Sequence, residues 1–105
     1  MTEFVQVSTA TPEREHAIEL AKGAVQGRLA AGSQIIGPVV SVFWHLGEFG
    51  EGEEWRLLLT TTSDRYPGLE TYLLKNHPWD NPEVIATPIQ GAPRCLKWIE
   101  DNVRP

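Results

Sequence analysis

His77, Asp80 and Glu83 fall within one seven-residue stretch, His77-Pro78-Trp79-Asp80-Asn81-Pro82-Glu83. Imidazole nitrogen and carboxylate oxygen both ligate first-row divalent metals, so the stretch holds a candidate ligand set. Pro78 and Pro82 place it on an extended turn rather than on one helical face. The competing reading is a helix stop followed by a solvated loop, with no second His close by in sequence. His45 is the other candidate ligand. Strand alternation sends it to the face opposite Trp44, where it is either shared between chains or merely exposed. His16 reads as a surface residue of the first helix.

Cys95 is the sole cysteine. It excludes an intramolecular disulfide and a site built on several thiolates. A helix N-terminus can activate a thiol, but a small apolar residue at an interface is the simpler role for Cys95. Glu48, Glu51, Glu53 and Glu54 read as a solvated acidic hairpin tip that opposes edge-to-edge pairing. No Ser-His-Asp or Cys-His set can be assembled, and neither glycine-rich phosphate motif is present. The expectation is therefore a binding protein, not an enzyme.

The elements that must position these groups are well punctuated. Phe4 to Thr9 reads as a strand. Thr11-Pro12-Glu13 reads as a helix start, with Thr11 as cap. Ala17, Ile18, Ala21, Val25 and Leu29 recur at helical spacing opposite Glu15, Glu19, Lys22 and Gln26, and the helix is expected to end near Ala31-Gly32. Ile35 to Phe49 reads as a strand kinked at Gly37-Pro38. Gly50-Glu51-Gly52 reads as a turn into a strand from Trp55 to Thr62. Asp64 to Asn76 carries Leu69, Tyr72 and Leu73 at helical spacing, capped by Ser63 or Asp64 and stopped by His77-Pro78. Val84 to Ile89 reads as a fourth strand, and Pro93 to Asn102 as a final helix with Leu96 and Ile99 inward.

That order, β-α-β-β-α-β plus one helix, is the α+β ferredoxin-like arrangement, an antiparallel sheet with two helices on one face. The second sheet face then needs a cover. Trp44, Trp55 and Ile35-Ile36 offer apolar surface for it, each large side chain contributing roughly 1.5–3 kcal/mol when buried. The 105 residues suit one domain over 1–105. Hydrophobic residues make up 41% and charged residues 22%, which are globular proportions. The formal net charge of −5, with no Lys/Arg cluster, argues against nucleic acid and anionic membranes as partners. There is no apolar run of about 18 residues for a spanning helix. Met1-Thr2-Glu3-Phe4-Val5 has no basic leader, so a cytoplasmic location is expected.

The run His77-Pro78-Trp79-Asp80-Asn81-Pro82-Glu83-Val84-Ile85-Ala86-Thr87-Pro88-Ile89 closely resembles the signature of the CutA family of divalent-cation tolerance proteins. Its pattern there is His-Pro-aromatic-acid-x-Pro-Glu-aliphatic-Ile-Ala-x-Pro-Ile. Thr9-Ala10-Thr11, Ile35-Ile36, Ser41-Val42-Phe43-Trp44 and Leu96-Lys97-Trp98-Ile99 extend the likeness over essentially the whole chain. The resemblance implies a ferredoxin-like fold, a homotrimer similar in shape to PII signalling proteins, and a role in tolerance of divalent metals, chiefly copper. Gly32 stands where members usually carry Cys, Gly37-Pro38 reverses their Pro-Gly, and Thr60-Thr61 lacks a Lys common near there.

Residues and resemblance together nominate three sets. His45, His77, Asp80 and Glu83 are candidate ligands of a divalent metal such as copper or zinc. Gln34, Trp44, Thr60, Thr61 and Trp79 are candidates for an intersubunit cleft taking a small molecule. Ile35, Ile36, Val42, Trp44 and Trp55 are candidates for the trimer interface. A further protein partner is the remaining expectation.

Overall fold

Strand β3 (Glu48–Thr62) organises the molecule. Its second half pairs antiparallel with all of β1 (Phe4–Thr11), from Thr11 opposite Trp55 to Phe4 opposite Thr62. From Glu48 to Thr60 it pairs with β2 (Gly32–His45). Strand β4 (Ile85–Ile89) lines the other side of β1. The sheet order is β2-β3-β1-β4, antiparallel throughout. Helix α1 (Arg14–Gln26) connects β1 to β2, α2 (Tyr66–Asn76) connects β3 to β4, and α3 (Pro93–Asn102) closes the chain. This α+β arrangement is the expected element order. The computed structural model describes residues 3–104; Met1 and Thr2, which entered the reading of the N-terminus, and Pro105 lie outside the described residues.

Alternation along the strands sorts the side chains into two faces. Val5 and Val7 of β1 lie on one face with Leu57 and Leu59 of β3. Against them pack Leu20, Ala21 and Ala24 of α1 and Leu69 and Leu73 of α2. Small residues on α1 let the helix lie close to the sheet, while leucines fill the space from β3 and α2. On the other face, Phe4 and Ile89, which are register partners, pack under Leu96 and Ile99 of α3, with Ala31 and Val103. Helix α3 therefore covers only one end of that face.

Four expectations need correction. The hairpin turn is Leu46-Gly47, not Gly50-Glu51-Gly52: His45 pairs with Glu48, and both turn residues have positive φ (51° and 81°), the pattern of a type I′ turn. Gly50 instead lies in β3 beneath the Phe43 ring, where a Cβ would come within 2.6 Å of it. Helix α1 stops at Gln26, because Gly27 and then Arg28, at φ 60°, turn the chain before Ala31. Thr11 does not cap it; as the buried last residue of β1, it donates its hydroxyl to the Glu13 carbonyl. Nor does Ser63 or Asp64 cap α2, whose N-cap is Arg65. Asp64 instead accepts 2.8 and 3.3 Å hydrogen bonds from Arg104, which lower its pKa to about 2. The kink expected at Gly37-Pro38 is a register shift between Ile36 and Val39, with a cis peptide bond at Gly37–Pro38.

Two substitutions test this packing by urea denaturation. Tyr72 reaches over Gly23 to donate to the Leu20 carbonyl at 3.0 Å, and a Cβ on residue 23 would overlap its hydroxyl. Gly23→Ala should cost about 1–3 kcal/mol, whereas Gly52→Ala, with open space around it, should change stability by less than about 0.5 kcal/mol. At the turn, Leu46 carries a left-handed backbone costing roughly 1–2 kcal/mol. Leu46→Asn creates the favoured Asn-Gly pair and should raise stability, with a lower midpoint counting against the turn geometry.

Candidate functional site

The unequal lengths of β1 and β3 create the most unusual surface. Residues 48–54 of β3 extend beyond the end of β1 and have only β2 beside them. The resulting two-stranded arm helps stretch the molecule to 44 Å in one direction against 23 and 21 Å in the others. Val40, Val42 and Trp44 lie on one face of the arm, opposite Glu53, Glu51 and Phe49. Trp44 and Phe49 meet edge to face, with centroids 5.9 Å apart and planes at 76°. This contact covers little of either ring: Trp44 remains 75% exposed, Phe49 68% and Val40 70%. The sheet face beside the arm is also uncovered beyond α3, where Ile36 and Ile85 are about half exposed. Isolated exposed apolar residues are ordinary, but a contiguous series on one projecting ribbon marks an interaction surface.

Each nominated interface residue has a definite place. Ile36 lies on the uncovered sheet face, and Val42 and Trp44 lie on the exposed arm. Ile35 does not; it faces the helices and packs against the main core beside Leu57. Trp55 is half-buried, its indole against Gly37, where a Cβ would come within 2.7 Å.

The turn His77–Glu83 is not gathered into a ligand set. His77 ends α2 and is 9% exposed. Its Nε2–H donates to the Ala10 carbonyl at 2.7 Å, while Nδ1 accepts from the Trp79 backbone N–H at 3.0 Å. Both nitrogens are thus committed to tying the turn to β1. Glu83 is paired with Arg56 at 2.8 Å, and Asp80 is exposed on the loop. Among the described residues no three His, Cys, Asp or Glu side chains come together for a metal. His45 sits at the arm tip as the register partner of Glu48, so each tip carries one imidazole and one carboxylate on the same face. Sequence reasoning missed Glu48 as a neighbour because it misplaced the turn.

The nominated small-molecule cleft is also divided within one chain. Thr60 and Gln34 share the uncovered sheet face, but Thr61 points to the opposite side and is fully buried. Trp44 is on the arm, and Trp79 stacks beside His77 with ring centroids 5.4 Å apart. Cys95 is exposed, not a buried apolar residue of this chain. A cavity that sequence reasoning missed opens between α1 and α2, lined by His16, Glu19, Leu20, Tyr72, Asn76 and Pro78. Its only sequence signals are a His and a Glu three residues apart on one helix and a Tyr and an Asn four apart on another.

Comparison with known proteins is consistent along the whole chain. Residues 5–102 match the family model for CutA1 divalent ion tolerance protein. The chain is 35% identical to the divalent-cation tolerance protein CutA of Thermus thermophilus over 103 residues, covering 97% of this chain and 98% of that one. Its structure superposes with a TM-score of 0.88. The chain is 36% identical to the CutA homolog of Xenopus laevis, across 88% of its own length and 62% of that longer protein. The crystal structure of CutA1 from Oryza sativa, 30% identical, gives a TM-score of 0.92 over 97% of this chain and 94% of that one.

The committed geometry of His77 has a pH signature. Burial, aided by the nearby charge of His16 and opposed by the bond to Ala10, lowers its pKa from 6.5. The folded chain therefore binds this proton less readily than the unfolded chain, so the stabilisation is full above pH 6.5 and is lost as pH falls through the lowered folded value. Between about pH 7.5 and about pH 5.5 the urea midpoint should fall, and His77→Gln should remove most of that difference. An equal fall in the variant would assign the acid sensitivity elsewhere.

Proposed function

This chain belongs to the CutA1 divalent ion tolerance protein family, and from that premise we propose that it is a metal-responsive binding protein acting as a homotrimer. The observation that carries the reading is the arm. It projects apolar surface that nothing in its own chain covers, and its tip pairs His45 with Glu48. One tip supplies too few ligands for a stable transition-metal site, which takes about four donors. Copies related by a symmetry axis bring identical side chains together, so neighbouring tips would complete a set that a single chain lacks. Imidazole and carboxylate donors suit copper(II) and zinc(II), and divalent affinities peak at copper. His77 would then hold the fold rather than the ion. The roles proposed here are binding and signalling, without catalysis.

A second reading follows from Gln34 and Thr60, which place neutral hydrogen-bonding groups on the uncovered sheet face. A subunit boundary there would suit a small neutral ligand or a protein partner.

Native mass spectrometry separates these readings. The purified protein should fly as a trimer of the 11.7 kDa chain and take up copper(II) or zinc(II) at low-micromolar concentration. His45→Ala should abolish uptake, Glu48→Gln should weaken it, and Trp44→Ser should shift the mass towards monomer. His77→Ala should lower stability yet retain the metal. A trimer that stays metal-free would favour the neutral-ligand reading, and a monomer would remove both.

A further inference from the structure

The cavity between α1 and α2 plays no part in the metal reading, and its walls have a definite chemical bias. It is a half-open cleft of about 390 Å³, within the size range of small-molecule sites. Leu20, the Tyr72 ring and Pro78 supply its apolar side. Its polar side combines one carboxylate with an amide, a phenol and an imidazole. The Glu19 carboxylate makes no hydrogen bond or ion pair among the described residues. Asn76 donates one amide N–H to the Tyr72 carbonyl at 2.9 Å, and its Oδ1 accepts no hydrogen bond among the described residues. Tyr72 spends its O–H on the Leu20 carbonyl, so what it shows the cleft is ring face and lone pairs. His16 Nδ1 is shut off from water and has no hydrogen-bond partner among the described residues, an expensive condition for a buried polar atom.

A cleft with a carboxylate unpartnered among the described residues, an amide oxygen and an aromatic face is complementary to a cation that brings its own N–H groups. The walls contain a single imidazole and a single carboxylate, too few for a transition-metal site, whereas the apolar half asks for a carbon skeleton. We propose that this cleft binds a small organic cation, a primary ammonium on an apolar stem. The ammonium pairs with Glu19 and donates to Asn76 Oδ1, and the stem lies against Leu20 and Pro78. The net charge of −5 adds a favourable field for such a ligand. This site is independent of the arm, so failure of either reading leaves the other standing.

The test uses 2-phenylethylamine as the probe and the uncharged 2-phenylethanol as its control, titrated into ¹⁵N-labelled full-length protein. Saturable shifts of backbone amide signals should be confined to residues 16–23 and 72–79. The alcohol should bind at least about tenfold more weakly. Glu19→Gln, at an exposed position where folding is not at stake, should weaken the amine by at least about fivefold, while Asn76→Asp should tighten it. Glu51→Gln on the arm should leave affinity unchanged. The proposal is overturned by absence of shifts at millimolar amine, by equal binding of the alcohol, or by a smaller effect of Glu19→Gln. Equal weakening by Glu51→Gln would mean attraction to net charge alone, and a response in this cleft to zinc(II) but not to the amine would mean a metal site instead; both also overturn it.

Discussion

A mismatch of strand lengths shapes this protein. Strand β3 has fifteen residues and β1 has eight, and all eight pair with Trp55–Thr62. That half of β3 is central in the sheet and packs against helices; the other half has a neighbour on one side only. The same strand thus supplies Leu57 and Leu59 to the core and Phe49 to the solvent. A two-stranded ribbon with exposed aromatics is marginal by itself in water. Its exposed apolar face is the feature on which the proposal of a multi-chain assembly rests.

The remaining structure keeps that ribbon in place. Tyr72, bonded to the Leu20 carbonyl across Gly23, locks the two helices of the main layer together. His77 ties the end of α2 to β1 through the Ala10 carbonyl, close to where the arm leaves the sheet. Arg104 clamps Asp64 and so anchors the residues after α3 to the start of the β3–α2 connection. Each is a contact between segments far apart in sequence, and each commits a polar group to a structural partner. In the signature turn, the histidine and the glutamate are occupied by structural partners, whereas the His45 side chain at the arm tip makes no hydrogen bond among the described residues.

What was legible in the sequence was whatever local chemistry decides. Helix α3 runs over Pro93–Asn102 as expected, because Pro at its first turn and the inward Leu96 and Ile99 agree with one another. The element order followed from the same kind of punctuation, and the His77–Ile89 run was sufficient for the family likeness. The turn was misread because Gly50 and Gly52 look like turn residues but serve as clearance for a neighbouring ring and as open strand. Leu46, the residue that actually turns, belongs to a type that seldom adopts positive φ.

The amino-acid sequence by itself determined the set of elements and their apolar faces, since hydrophobic period, proline position and capping are local properties. Only the tertiary structure decided which polar groups remain available. Whether His77 is a ligand depends on the Ala10 carbonyl 67 residues away, and whether Glu83 is free depends on Arg56. Thr60 and Thr61 are neighbours in sequence, yet the pleat gives one to the open face and buries the other. Hydrogen-bond saturation and facing are properties of pairs of segments brought together by folding, and no spacing within one segment contains them.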